Sequence, residues 1–476
     1  MHQDSSTLIK EIPYCDPVSL FEGVHHRAWA ILLDSALQDT HCGRFSYIAV
    51  DPFKVLWAKD GQIKFNNTLI TSHINPFDLL KDVLVSMPEP MIPNLPPFQG
   101  GAAGTFSYDL YQYLETIPAH CSDDTFFPDM AIGFYDVVIS FDHDQKKAWI
   151  VSTGLPETLP ATRSLRAAAR LHYFTDLLKK PVSSSDDNIS SKMAGNVVVS
   201  QQITSNFNKE TYADAVKCLI EYIMAGDIFE ANISQCFTCK LPFGLSPFEL
   251  YKRSRKNNPA PFAAFINLGD IYVVSASPER FLQLIGDQVE TRPIKGTRAR
   301  SADFELDRQL AEELQTSAKD HAENIMIVDL MRNDLSKICE DHSVEVTQLC
   351  GLESYATVHH LVSVITGKLK PNHHAVDLLA AAFPGGSITG APKIRAMQII
   401  ATIEPTKRGM YCGSLGFIGF NGSMDTSIVI RSYTIKGDRV TFQVGGAVVA
   451  DSNPEEEYQE TLTKSSALHE ALGLVL

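Results

Sequence analysis

A chain of 476 residues that is 44% hydrophobic and 20% charged can build one extended core or two to three domains, and is long enough to enclose a buried site. A formal net charge of −15 argues against nucleic acid and anionic membrane surfaces as general partners, because both need a basic footprint, and admits a small anionic substrate only through a local pocket. The nine cysteines are scattered, and the N-terminal segment MHQDSSTLIKEIPYC lacks the basic stretch and continuous apolar core of a secretory signal, so reduced thiols and a cytoplasmic protein are expected.

In chain order, Ala28 to Val55 reads as two strands around a polar turn with Gly43, and further short strands are expected at Gln62 to Phe65, Met130 to Ser140 and Ala148 to Ser152. The glycines at 100, 101 and 104 in FQGGAAGTFSY lack the lysine and following helix of a phosphate loop, so close backbone packing is the better reading. An amphipathic helix fits Ala161 to Lys180. The serine-, aspartate- and asparagine-rich stretch after it reads as a polar linker over 181–204, between an N-terminal region 1–180 and a C-terminal region 205–476. A helix over Tyr212 to Met224, started at Ser205 or Asn208 and stopped at Gly226, leads into strands from IFEANISQCF to SASPERF. Cys236 and Cys239 form the only CxxC, but their flanks read as strand, which suits neither a redox pair at a helix terminus nor a metal site. No apolar run approaches the roughly 20 residues of a membrane helix.

The stretch TRPIKGTR sets Lys295 apart. Pro293 fixes its own backbone angle and pushes Arg292 into an extended conformation, while Gly296 frees the chain to bend after the lysine. A surface lysine needs neither constraint. Glu279 follows Pro278 at the end of an apolar run, placed to project from a strand end into a cleft or simply to be solvated. Asp320 to Glu340 reads as a helix with apolar residues at 325, 328, 331 and 335 and Glu323 in its first turn, where a glutamate also suits the helix dipole. The C-terminal helix starts with Asn453 as cap and Pro454 next, so Glu457 and Glu460 share a face. Two helices offering such glutamates could hold a hard divalent cation, although the spacing does not require one. In FPGGSITGAPKIR the glycines lead into a helix with apolar Ile394, Met397 and Ile400. Such a lead can receive a carboxylate or pack against a neighbouring backbone.

The blocks SASPERF, TRPIKGT, AENIMIVDLMRND, YATVHHLVS, GGSITGAPK, CGSLGFIG and EEEYQET, in that order over Ser275 to Thr461, resemble the chorismate-utilising enzymes, a family that includes anthranilate synthase component I and isochorismate synthase. LLDS at Leu32 to Ser35 and FQGGAAGTFSYDL at Phe98 to Leu110 extend the likeness over the first third. Within the family, the lysine of PIKGT resembles the branch that turns chorismate and ammonia into 4-amino-4-deoxychorismate, a precursor of 4-aminobenzoate and folate; anthranilate synthases carry alanine there. The resemblance implies an α/β fold of two intertwined halves, with antiparallel sheets stacked as a sandwich and helices outside.

It also implies roles. Lys295 is matched to a nucleophile that adds to the chorismate ring and displaces the ring hydroxyl before ammonia displaces the lysine; an ordinary lysine is protonated at neutral pH, so the pocket must lower its pKa or a base must take the proton. Glu279 is matched to the general acid and His360 to the active-site histidine, with His359 beside it as a competing choice. Arg431 is matched to the residue that grips the enolpyruvyl carboxylate, helped by the amides of Gly445, Gly446 and Ala447 and by Thr389. Glu323 and Glu460, with Glu457 beside them, are matched to ligands of Mg2+. Glu230 departs from the glutamine often found in IFEANIS, which puts any substrate contact there in doubt. LLDS resembles the element that binds tryptophan in relatives, with Ser35 as anchor; an ordinary hydrophobic strand is the alternative. No stretch resembles a glutamine amidotransferase and no lyase follows Leu476, so a separate glutaminase subunit is expected to supply ammonia, and another enzyme to finish 4-aminobenzoate. Anthranilate synthase component I, isochorismate synthase and an inactive binding subunit are the alternative readings.

Overall fold

The strand Ala30–Asp34 pairs antiparallel with Phe262–Asn267, Leu32 opposite Phe265, and so joins the two halves of the chain in one sheet. A computed structural model describes residues 6–38, 42–71, 74–118, 121–123, 125–178, 203–355 and 358–474. Among these the strands form two sheets of twelve, and the second is joined in the same way, Gly101–Phe106 lying antiparallel to Ser414–Gly419. Thus the expected intertwining of the halves is a matter of strand order: neither sheet belongs to one half. The polar stretch 181–204 lies outside the described residues except for its last two positions, 203 and 204.

Between the sheets lies a core to which both contribute. Ile31, Tyr47, Val138, Ala264 and Val273 of the first sheet meet Ala103, Ala131, Leu415 and Phe417 of the second. Phe98 stacks on Phe417 at 4.5 Å between ring centroids, with Tyr47 edge-on to both. The outer face of one sheet is covered by Pro160–Leu177, Pro247–Asn257 and Pro454–Ala471, and that of the other by Pro76–Val85, Ala318–Ser336 and Ala375–Ala382. Strands covered on both faces carry continuous apolar runs rather than alternation. Met130–Tyr135 and Val137–Asp142 are buried at every position.

The single strand expected over Met130 to Ser140 is in fact two, one in each sheet, with Asp136 at the corner held by Arg166 and Arg170. The glycines of FQGGAAGTFSY do serve close packing. Gly104 lies opposite Gly416, and a Cβ on Gly104 would stand 2.1 Å from the carbonyl oxygen of Ala131. Cys236 and Cys239 are buried on the strand Glu230–Lys240, where burial pushes the Cys239 thiol up to about 11 and leaves it inert. No described helix is long and apolar enough to cross a membrane.

Candidate active site

Two corners where the chain changes sheet bring Glu279 and Arg431 together. Ile271–Ser277 belongs to the first sheet and Arg280–Ile285 to the second, with Pro278 and Glu279 between them; Met424–Ile428 returns to Ser432–Lys436 through Arg431, whose φ is 52°. Backbone bonds lock the corners to each other, Ile428 N–H donating to the Glu279 carbonyl at 3.1 Å and Ala276 N–H to the Arg431 carbonyl at 3.1 Å. Glu279 is buried, and Ser387 donates to its Oε1 at 2.6 Å. Burial outweighs that bond and the charge of Lys295, pushing the carboxyl up to about 7.

Lys295 lies on the strand Ile294–Ala299 against Val358–Lys368. The bend expected at Gly296 is a β-bulge instead. Lys295 faces Leu361, Thr297 faces His360, and Gly296 is the extra residue between them, at a φ of 82°. The lysine is only 8% exposed, and its Nζ donates to Glu230 Oε1 at 2.8 Å. Burial pushes its pKa down, but the charges of Glu230, Glu323 and Glu279 together push it up by more, so the isolated pocket holds an ammonium. Of the two routes expected for freeing the amine, a lowered pKa or a base that takes the proton, the second has a candidate in contact, Glu230.

The two histidines have different surroundings. His359 uses both ring nitrogens, Nδ1 with Ser354 at 2.7 Å and Nε2 with Asp307 at 3.1 Å. His360 bonds Thr297 through Nδ1 at 2.8 Å and leaves Nε2 buried without a partner. Burial, then the nearby charge of Arg431, pushes its pKa down to about 3, so the ring is neutral. Arg431 has no carboxylate partner among the described residues, and burial alone lowers its pKa. A half-buried guanidinium with no carboxylate partner, beside a neutral imidazole with a free nitrogen, is a receptor for an anion.

A family model described as chorismate binding enzyme matches residues 33–470. The chain belongs to that family. It is 39% identical to aminodeoxychorismate synthase component 1 of Salmonella typhimurium, over 93% of each chain, and 36% identical to anthranilate synthase component 1 of Thermus thermophilus, over 96% of this chain and 95% of the other. Among solved structures, anthranilate synthase component I of Streptococcus pneumoniae superposes with a TM-score of 0.77 at 30% identity, covering 89% of this chain and 92% of the other.

In this chorismate binding enzyme the acidic wall of the site comes from two helices. Ser317 caps Ala318–Ser336, so the helix starts earlier than expected and Glu323 stands in its second turn rather than its first. Ile325 is exposed, and Ile327 takes its place in the core beside Val328, Met331 and Leu335. Asn453 caps the C-terminal helix as expected. A Cβ on Gly446 would stand 3.2 Å from Glu457 Oε2 and 3.3 Å from Glu460 Oε1, so both carboxylates turn to this bare backbone. Among the described residues no three acidic, histidine or cysteine side chains already converge as a metal cluster. The donor set still fits a hard cation. The Lys319 ammonium lies 4.0 Å from Glu323 Oε1 and 3.9 Å from Glu457 Oε1, where a positive charge is drawn between the two helices. Burial pushes Glu323 up to about 7, with the charge of Glu230 adding to it and those of Lys295 and Lys319 opposing it.

Three of the residues gathered here were not picked out from the sequence, Ser387, Lys319 and Lys464, the last 2.5 Å from Glu460 and donating to the Gly445 carbonyl at 3.0 Å; Glu230 was, but only as a departure from a motif. Lys464 follows Glu460 by four residues, a spacing that could have found it. Thr389 is buried, its hydroxyl donating to the carbonyls of Gly385 and Gly386 and its own carbonyl accepting from Asn232 N–H. In the third helix, Lys393–Ile403, Met397 and Ile400 are buried as expected, but Ile394 is exposed.

Away from this site, a cavity of about 260 Å³ opens beside Ser35, walled by Tyr47, Phe417, Arg280, Glu290 and Asp425. The Ser35 hydroxyl donates to the Phe45 carbonyl at 2.6 Å. Leu32 and Leu33 form the strand that was the alternative reading, and the cavity lies at its end.

Proposed function

We propose that the protein is an aminodeoxychorismate synthase component 1, which converts chorismate and ammonia to 4-amino-4-deoxychorismate, a precursor of 4-aminobenzoate and folate. The observation that carries this reading is Lys295, buried at the centre of the site with one glutamate to take its proton and another, Glu279, poised near neutrality. Lys295 bonds to the ring as the ring hydroxyl departs, and Glu279 gives that hydroxyl its proton so that it leaves as water. Ammonia then displaces the lysine. Arg431 holds the enolpyruvyl carboxylate, His360 offers its free Nε2, and the strand at Gly445, Gly446 and Ala447 offers backbone amides, with Thr389 shaping the opposite wall. Glu323 and Glu460, with Glu457 in support, would hold Mg2+, which when bound would neutralise the ring carboxylate.

Ammonia comes from glutamine on a separate glutaminase subunit, giving a heterodimer, and the nine free cysteines suit a cytoplasmic setting. The cavity beside Ser35 is assigned to a bound tryptophan, its indole against Tyr47 and Phe417. The test is the product formed from chorismate and magnesium. High ammonium should give the 4-amino product with the chain alone, whereas glutamine should give none until the glutaminase subunit is added. Anthranilate as the product would make the chain an anthranilate synthase, and isochorismate without ammonia an isochorismate synthase.

A further inference from the structure

Glu230 is the first residue of the strand Glu230–Lys240, and two backbone contacts fix it. Phe229 N–H donates to the Ala391 carbonyl at 2.7 Å, and Glu230 lies opposite Ala391 in register. The fit depends on Gly390, where a Cβ would stand 2.2 Å from the Glu230 carbonyl oxygen. The side chain is fully buried, its Oε1 accepts from Lys295 at 2.8 Å, and its Oε2 has no hydrogen-bond partner. No second donor therefore competes with Lys295 for this carboxylate. Glu279, Glu323 and Glu460 also act on the ammonium, but none is within hydrogen-bonding distance of it. In a dry pocket an ion pair and its neutral tautomer, acid plus amine, approach each other in energy, because two charges are costly to keep from water.

We propose that Glu230 is the proton acceptor that frees Lys295 for attack, and that it stores the proton until the lysine leaves. The inference rests on the reading of Lys295 as nucleophile. A proton passes from Lys295 Nζ to Glu230, leaving a neutral amine and a neutral acid. The amine lone pair forms a bond to a ring carbon of chorismate as the ring C–O bond breaks, and the oxygen takes the Glu279 proton and departs as water. Ammonia forms its own C–N bond as the Lys295 C–N bond breaks. That electron pair returns to the lysine nitrogen, which recovers its proton from Glu230, while the ammonium of the product reprotonates Glu279.

A carboxylate that only pinned the ammonium would predict the reverse effect of its removal, since losing the charge would release more free amine. Adduct formation on Lys295 separates the two, followed by rapid quench and intact mass spectrometry with chorismate and magnesium but no ammonia. The readout is the rate in Glu230→Gln divided by the wild-type rate at each pH, which cancels the titration of Glu279. The ratio should be well below one at pH 7 and climb by up to about tenfold per pH unit as Lys295 loses its proton to solvent instead. A ratio of one or more at pH 7, or a low ratio that ignores pH, overturns the proposal. Glu230→Asp keeps a carboxylate and should give a reduced ratio independent of pH; a climbing ratio there overturns it as well, even if the glutamine variant does not fold. An absent wild-type adduct, with amination retained in Lys295→Ala, removes the nucleophile reading and this inference together. A wild-type adduct with an unaffected Glu230→Gln removes this inference alone.

Discussion

Ser387 Oγ donates to Glu279 Oε1 at 2.6 Å across 108 positions of sequence. The bond occupies one carboxyl oxygen and leaves the other to carry the proton that a general acid must deliver. With the carboxyl at about 7, roughly half the molecules hold the proton for the task at neutral pH, and the acid form is lost as the pH rises further.

Glu279→Gln tests both halves of that statement. The amination rate should fall by about a hundredfold or more, the usual worth of a positioned general acid. Stability should move the other way. The folded carboxyl binds its proton up to about pH 7 and the unfolded one only to its ordinary value of 4.5, so between those values the folded state holds more protons and stability declines with rising pH. Above pH 7 the full cost, on the order of 3 kcal/mol, is present, and glutamine removes it. Thermal unfolding should therefore show a higher midpoint for the variant at pH 8 and little difference at pH 5. An equal shift at both would mean that Glu279 does not titrate as the burial implies.

The local constraints on Lys295 were legible in the sequence, but its partners were not. Pro293 and Gly296 announce an unusual backbone; that Gly296 makes a bulge rather than a bend is decided by register against Val358–Lys368, more than 60 residues away. Glu230 looked like a departure from a motif because its meaning lies in a contact 65 residues distant. His359 and His360 could not be separated by sequence, since neighbours on a strand point to opposite faces and only their partners tell them apart. Strand order, with each sheet joined across the halves, is likewise a long-range fact, and it is what places Glu279 and Arg431 at adjoining corners.

Lys295→Arg keeps the positive charge next to Glu230 but cannot lose its proton, so it should bind chorismate and form neither adduct nor 4-amino product. Lys295→Ala should also bind and should lose most of the 4-amino product, with some 2-amino product or anthranilate as ammonia enters directly. Mass spectrometry of wild-type protein given chorismate without ammonia should find added mass on the peptide that contains Lys295. Wild-type turnover by Lys295→Arg, with no adduct in the parent, would reduce the lysine to an electrostatic clamp.

Lys319 stands about 4 Å from both Glu323 and Glu457, and it is half exposed, free to swing away. If those glutamates hold magnesium, Lys319→Met should tighten the binding by several-fold, because it removes a competing positive charge. Glu323→Gln and Glu460→Gln should weaken it by about tenfold or more, each taking one negative charge from a hard cation. Calorimetric titration with magnesium, without substrate, checks all three. Unchanged affinity in both glutamine variants would show that the cation is held elsewhere.

Arg431 is a half-buried cation with no carboxylate beside it, and partial loss of water disfavours its charge, a cost to the free protein that an anionic ligand would offset. Its removal should therefore affect stability and binding in opposite senses. Arg431→Ala should leave the thermal midpoint unchanged or raise it, and should raise KM for chorismate by roughly ten- to a hundredfold, the worth of about 1.5–3 kcal/mol for hydrogen bonds to a charged group. If the carboxylate grip is the same in the ground and transition states, kcat changes far less than KM. Arg431→Lys restores the charge but not the planar fork, so it should recover only part of the loss. A lowered midpoint with an unchanged KM would assign the guanidinium to the fold, and the enolpyruvyl carboxylate would need another partner.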